Sequence, residues 1–431
     1  MLRLLGLLVC LVVAFEISTE VACAHFLFAH VIRGSQPRVE LHFAESAWDF
    51  SANDRMVSLM GSARSWHADG QTLEFESKPH AMVCPMESDQ KIACSEFTYG
   101  LMSRGETFLL RYHAKGVDGI EAAETNGGLH AEIVATPSED GQLIVTVLSK
   151  GTPFPGAEII VPTSGMNTEE MTTDENGQIR INTPTTSLYS FRAMVPEERS
   201  GTHDGKPYEL VRHYTTLTVH DHENIPEGSD GLAWAILQDA QHCNAATVGG
   251  SWNANFRMTD ASGTLQGKLM HDGQSARITE PEEASDRTIQ TIGSIRTIHP
   301  ANDIAIGFED ARTAAAGCRI VIPEHGMTYV IKDRVVETII ESSDDGSRRI
   351  DVTGRTRLED GRILPERLVI TEFDSNGTIE SVTLTSENYV DQNGDHVLKS
   401  VSHNHINGPG KSDQTVIRLS DVRQQDSTSS R

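Results

Sequence analysis

The chain has 431 residues and a formal charge of −25, more than a single hydrophobic core usually organises, so two or three domains are expected. A surface this acidic repels phosphate backbones and anionic headgroups, which makes nucleic acid and membrane surfaces poor partners and favours cations. Acidity equally serves solubility, so the charge alone does not establish metal handling.

Residues 1–24 read as a secretory signal peptide. The run Leu4 to Phe15 is almost wholly apolar, follows Arg3, and leads through a polar stretch to Ala22-Cys23-Ala24, an Ala-x-Ala cleavage pattern. That run is too short to span a bilayer and no later run is long and apolar enough, so direct membrane insertion is not expected. Acylation of Cys23 is the alternative, weakened by Glu20 where such a signal wants an aliphatic residue. The mature chain is then expected to start at His25, in the periplasm or outside the cell. Its charge would be −24, because Arg3, Glu16 and Glu20 leave with the leader.

From residue 25 to about 130 the chain runs in short alternating segments, "RVELHFAES", "QTLEFESK", "KIACSEFTY" and "ETFLLRYHAK", separated by turns. Alternation at this spacing predicts a β-sandwich. Residues 131–220 carry "SKGTPFPGAEIIVP", "TTDENGQIRI" and "SLYSFRAMV". Here Gly151 and Pro153 make a turn, Asn176-Gly177 turn a predicted hairpin, and Tyr189, Phe191 and Ala193 alternate along a final strand. This segment resembles the prealbumin-like sandwich modules that act as regulatory domains of carboxypeptidases, a module that is mostly spacer or platform.

An acidic linker spans residues 221–231, and beyond it residues 232–423 change character. "LAWAILQDAQHCNAA" has helical apolar spacing, and Ile289, Ile292 and Ile295 mark a second helix candidate. Turn pairs at Asp345-Gly346, Asp360-Gly361, Asn376-Gly377 and Asn393-Gly394 then predict an antiparallel meander. The tail 424–431 is polar and is expected to be disordered. The fold class expected is therefore mainly β: two sandwiches followed by a curved antiparallel sheet with packed helices.

Four cysteines remain after the leader. An oxidising compartment and an even count predict two disulfides, Cys84 with Cys94 and Cys243 with Cys318; the absence of any C-x-x-C spacing disfavours a cysteine zinc site.

Candidate metal ligands are histidines. A histidine at a free N-terminus offers its α-amine and its imidazole together, a donor pair that copper and nickel favour. His30 is offset from His25 by five and so faces the other side of a straight strand. His113 in "RYHAKG" and His213 in "LVRHYTTLTVH" are better partners, the alternative being that both are ordinary strand residues. The pairs His220/His222 and His403/His405 share strand faces but sit near predicted turns, where exposed, solvated rings are expected. Met60, Met82 and Met86 are irregularly spaced and read as core filling. No Gly-x-Ser-x-Gly, His-Glu-x-x-His or phosphate loop occurs, so a non-enzymatic protein is expected.

Taken together, "CAHFLFAHV", "GTPFPGAEIIVP…TTDENGQIRI" and "GKPYELVRHYTTLTVH" resemble a bacterial exported family of unknown function related to the periplasmic component of nickel uptake transporters. The likeness covers residues 24–220. It implies two sandwiches, a binding role for nickel, cobalt or copper with His25 carried over as ligand, and a membrane transporter component as a partner. This chain continues from His25 with Phe-Leu-Phe, where members of that family often carry an acidic or aromatic pair. Further on, "WNANFRMTDASGTLQGKLMHDG" and "DGRILPERLVITEFDSNGTIESVTLTSENYV" are similar to a second family of unknown function, shaped like lipoprotein carrier proteins. That likeness implies a sheet able to hold an acyl chain or a protein partner, with the sandwiches as spacers; a closed core without ligand is the other reading.

Overall fold

The structure, a computed structural model, describes residues 25–51, 53–87, 89–163, 166–221, 225–244, 252–271, 276–280, 304–309, 312, 317–392, 395–406 and 412–424. The leader, the Ile289–Ile295 helix candidate, His222, the Asn393-Gly394 turn and the tail beyond Gln424 lie outside these residues.

The chain is mainly β. Strands Phe26–Ile32, Arg38–Ala44, Met82–Pro85 and Glu76–Ser77 form a four-stranded antiparallel sheet. It packs on Ile92–Arg104 and Glu106–Asp118 through Leu27, Ala29, Leu41, Phe43, Phe97, Leu110 and Tyr112. The approach is closest at Gly116, where a Cβ would come within 2.3 Å of the Ala29 carbonyl oxygen. Met60 and Met82 fill this core, and Met86 fills a neighbouring one with Val31 and Val39.

The second sandwich pairs Gln142–Ser149 with Ala131–Pro137, Thr152–Pro153 and Gln178–Asn182. This sheet closes over Glu158–Pro162, Leu188–Glu197 and Leu210–His220, burying Ile133, Val145, Val147, Ile159, Phe191 and Leu217. Asn176-Gly177 does form a turn, with Gly177 at φ 71°. It is not a hairpin turn, because the flanking strands Thr168–Thr172 and Gln178–Asn182 belong to opposite sheets.

The two sandwiches are fused. Leu210–His220 pairs parallel with Glu106–Asp118, from Leu210 opposite Phe108 to His220 opposite Asp118. One seven-stranded sheet, from Thr168–Thr172 at one edge to Arg64–His67 at the other, therefore serves both units. Local alternation predicts each strand but carries no information on this long-range parallel pairing.

The third unit begins with helix Gly231–Cys243, capped by Asp230, whose Oδ1 accepts from the Leu232 and Ala233 amides at 3.0 and 3.1 Å. A twelve-stranded antiparallel sheet follows. Asp345-Gly346, Asp360-Gly361 and Asn376-Gly377 join consecutive strands from Val335–Ser343 to Ile379–Gln392 as expected. The helix is buried on nearly every side, between Phe26, Phe28, Ile32 and Phe50 of the first sandwich and Ile320, Tyr329, Ile331 and Ile339 of the large sheet. Such all-round burial explains why its sequence is apolar beyond one stripe.

Neither disulfide forms; all four cysteines are free and buried. Cys84 sits in the small core of Val31 and Val39, whereas Cys94 belongs to the core of the second sandwich. Cys243 packs beside Met166, Val335 and Ile363, and Cys318 lies in the core around the helix. Sequence proximity suggested the pairs, but the members of each pair face different cores. Burial pushes the Cys94 and Cys318 thiols up to about 12.

Candidate histidine and carboxylate site at the sandwich seam

The parallel pairing brings His113 and His213 together. Successive residues of a strand face opposite sides of its sheet: Tyr112 and Ala114 join the first core, while Val117 and its face turn toward the second sandwich. His113 shares that second face, as do His213 and Glu197, which alternate with the residues opposite them in Leu210–His220 and Leu188–Glu197. His130 enters from the segment just ahead of Ala131–Pro137, its carbonyl held by the Lys150 amide at 2.7 Å.

The contacts form a chain. Glu96 Oε2 lies 3.4 Å from His113 Nδ1, His113 Nε2 lies 2.9 Å from His213 Nδ1, and His213 Nε2 lies 3.1 Å from Glu197 Oε2. The His130 ring stacks on His213, centroids 4.0 Å apart and 8° from parallel, with its Nε2 3.6 Å from Glu197 Oε2. His130, His213 and Glu197 each offer one donor atom, and those three atoms lie within 4.8 Å of one another.

Two neutral imidazoles carry two N–H protons, enough for His113 to donate to His213 and His213 to Glu197, and His113 Nδ1 then faces Glu96 without a hydrogen bond. A cation at the Glu197 end would instead leave His213 Nδ1–H to donate to His113 and turn the His113 Nδ1–H toward Glu96, the carboxylate-to-histidine-to-metal order by which ligands are oriented.

Electrostatics keep the rings unprotonated. Burial first, then His113 and His130, push His213 down to about 3. Burial likewise lowers His113 and His130, so all three rings stay neutral, the ligand form, at physiological pH. Burial raises Glu197, but hydrogen bonds from Lys150 and His213 outweigh it and bring the carboxyl down to about 2. His130 Nε2 is buried without a hydrogen-bond partner among the described residues.

His25 lies elsewhere. Its ring stacks on Phe43 at 5.8 Å, and Phe43 in turn meets Tyr112 edge-on, so His25 belongs to the opposite face of the seven-stranded sheet from His113. His30 faces away from His25, as its offset predicts, and finds His220 at 2.8 Å and the His42 ring at 4.5 Å. Beside it run Arg38, Glu40 and His42, with Glu40 bound to Arg38 at 2.6 Å, to His42 at 2.8 Å and to Arg312 at 3.3 Å. Their alternation with Val39, Leu41 and Phe43 on a strand buried on both faces was a readable sign of a buried polar network. His403 and His405 lie within the large sheet rather than at a turn, each bonded to a threonine, Thr385 at 3.0 Å and Thr383 at 2.8 Å. His130, Glu197 and Glu96 escaped sequence reading because each is a single polar residue in an ordinary strand or strand-end context.

Two spaces adjoin these elements. A cleft of about 540 Å3 opens at the seam, lined by Arg64, Glu96, Arg111, Asn126, His130 and Lys150 among others. A slit of about 20 Å3 lies between the buried helix and the large sheet, beside Ala240, Val335, Val336, Val352 and Ile363. That is room for one water and not for an acyl chain.

No family model matches this chain, and no curated protein does either; the expected likeness to nickel-uptake proteins thus finds no counterpart there. Among solved structures it is similar to a LolA-superfamily protein from Nitrosomonas europaea, at 12% identity and a TM-score of 0.18, over 45% of this chain and 94% of that one. A lipoprotein-sorting protein domain of the outer membrane from Vibrio parahaemolyticus gives 9%, 0.20, 44% and 92%. A DUF1329 family protein from Desulfovibrio piger gives 8%, 0.18, 46% and 93%. Such weak superposition leaves the ligand to be argued from geometry. No helix among the described residues is long and apolar enough to cross a membrane.

Proposed function

We propose that the chain is an exported, non-catalytic binding protein that holds a divalent transition-metal ion at the sandwich seam, through His130, His213 and Glu197. The convergence of those three donor atoms within 4.8 Å is the observation that carries the reading. Two imidazoles and one carboxylate suit nickel, cobalt or copper. In this reading His113 is not a ligand but orients His213, with Glu96 behind it. His25 plays no part.

The test is a melting-temperature shift. Nickel, cobalt or copper at a hundred times Kd should stabilise the native chain by about 2.7 kcal/mol. The shift should vanish in His213→Ala and in His130→Ala but persist in His25→Ala. A shift that survives in both seam variants overturns the proposal.

A second reading makes the third unit the binding part, for an apolar ligand or protein partner, with the sandwiches as spacers. It draws on the apolar side chains left exposed on the large sheet: Leu384 opposite Val369, Ile406 opposite Val382, and Ile379. A chain that ignores all three metals but is stabilised by palmitate would favour it.

A further inference from the structure

The seam cleft inverts the charge of the chain around it. Over the whole sequence Asp and Glu outnumber Lys and Arg by 61 to 36, yet Arg64, Arg111 and Lys150 line this cleft against the single carboxylate of Glu96. Clustered charge of one sign in a concave site raises the local concentration of ions of the other sign.

Both sandwiches build the walls. Arg111 stands two residues before His113 on Glu106–Asp118 and so shares its face of the sheet, and Arg64 pairs with Glu96 on the strand at the sheet edge. Two loops of the second sandwich close over them, tied by the Lys150 amide donating to the His130 carbonyl at 2.7 Å. Arg64 reaches Glu96 at 2.6 Å and Lys150 reaches Glu197 at 2.8 Å, but 75% and 60% of their side chains stay in solvent. Arg111 is uncommitted: no ion pair joins it to a carboxylate among the described residues, and its Nε is buried there without a hydrogen-bond partner. His130 Nε2, in the same lining, is also without one. Asn126 spends its Oδ1 on the Gly128 amide at 2.8 Å, which leaves its amide N–H groups at the mouth as donors.

A guanidinium presents a planar fork of donors that matches carboxylate and phosphate oxygens. We propose that this cleft binds a small polyvalent oxyanion, a polycarboxylate or a phosphate, with its oxygens on the Arg111 fork and on Lys150 and Arg64. The volume of about 540 Å3 holds about eighteen waters at ~30 Å3 each, room for an anion of about a dozen non-hydrogen atoms with bridging water. The proposal does not rest on the metal reading above.

Isothermal titration calorimetry of the chain from His25 onward tests it, with citrate and with inorganic phosphate as separate titrants in buffer freed of metal by a chelating resin. At least one titrant should bind at one site per chain, and which of the two binds assigns the oxyanion. Arg111→Gln should weaken that binding by about tenfold or more, as expected for loss of a charge-assisted hydrogen bond. Lys150→Gln, on an exposed turn that tolerates the change, should weaken it by about threefold or more and decides the matter should Arg111→Gln fail to fold. Arg180→Gln, exposed and outside the cleft, should leave it unchanged. Absence of saturable binding by both anions overturns the proposal. So does binding that is unchanged in a folded Arg111→Gln or in Lys150→Gln, or that weakens equally in Arg180→Gln, because the anion would then sit elsewhere or answer only to net charge. Metal-free buffer keeps the two readings apart: failure here leaves the His130, His213 and Glu197 cluster standing, and failure of the metal titrations leaves this cleft standing.

Discussion

At the scale of single residues, the seam gives His113 a role distinct from that of its neighbours. It touches His213 and Glu96 but is not one of the three clustered donors. Removing such an orienting partner typically weakens metal affinity ten- to a hundredfold without abolishing it. His113→Ala should therefore bind nickel about 10–100-fold more weakly in calorimetry, whereas His213→Ala should show no measurable heat. His113→Gln, which can still donate to His213 or accept from it, should recover part of the loss. Equal abolition by His113→Ala and His213→Ala would make His113 a ligand after all.

At the scale of elements, the segment that delivers His130 is pinned from beneath by a buried ion pair. Lys115 Nζ donates to Glu132 at 2.9 Å and to the Ala123 and Thr125 carbonyls at 3.1 and 3.0 Å. Glu132 in turn accepts from the Gly127 and Leu129 amides, and Trp66 donates to the Gly127 carbonyl at 2.8 Å. Gly127 admits no side chain, since a Cβ there would meet Cys94 Sγ at 2.2 Å. Breaking a buried pair leaves an uncompensated charge and costs about 3–5 kcal/mol. Urea unfolding of Lys115→Ala should show a loss of that order. The double variant Lys115→Met/Glu132→Gln should restore part of it, because the introduced amide is neutral and its single carbonyl oxygen still accepts from the Gly127 amide. A loss under about 1 kcal/mol in Lys115→Ala would show that the pair does not hold this segment.

At the scale of the whole molecule, the third unit docks on the first sandwich through charge as well as apolar burial. Arg38 bridges Glu40 and Asp230 at 2.6 and 2.7 Å, Arg312 reaches Glu40, and Trp48 donates to Asp239 at 2.6 Å. Within this interface burial, reinforced by His42, holds the His30 ring well below its ordinary pKa, and burial with Arg312 brings His80 down to about 3. Arg38 overcomes the burial penalty on Glu40 and keeps that carboxyl ionised. The unfolded chain takes up protons on these rings below about pH 6.5, while the folded chain does so only at much lower pH. Stability from the rings is thus present above about pH 6.5 and lost as pH falls; that from Glu40 is lost below about pH 4.5. Asp49 and Asp239, raised to about 7 by burial, act in the opposite sense between about pH 4 and 7. They are outnumbered, since burial also lowers His113, His130, His213 and His403. The urea midpoint should therefore fall between pH 7 and pH 5, and His30→Gln/His80→Gln should flatten that slope whatever its effect on the midpoint itself. A midpoint that rises on acidification would contradict this account.

The sequence by itself determined the strand and turn inventory, the helix after the linker, and His113 and His213 as strand residues worth pairing, because alternation, capping and turn chemistry are local properties of the chain. Local signals also suggested two disulfides and an N-terminal ligand. Both depended on neighbours in space, and the fold put each cysteine in its own core and His25 on the far face of the shared sheet. Only the tertiary structure decided the parallel pairing of Leu210–His220 with Glu106–Asp118, which fuses the sandwiches and joins residues about a hundred positions apart. The same pairing recruits His130, Glu197 and Glu96, whose sequence contexts are ordinary. A site assembled from the faces of four strands has no sequence spacing to betray it; what defines it is register, and register is set by burial across the whole sheet.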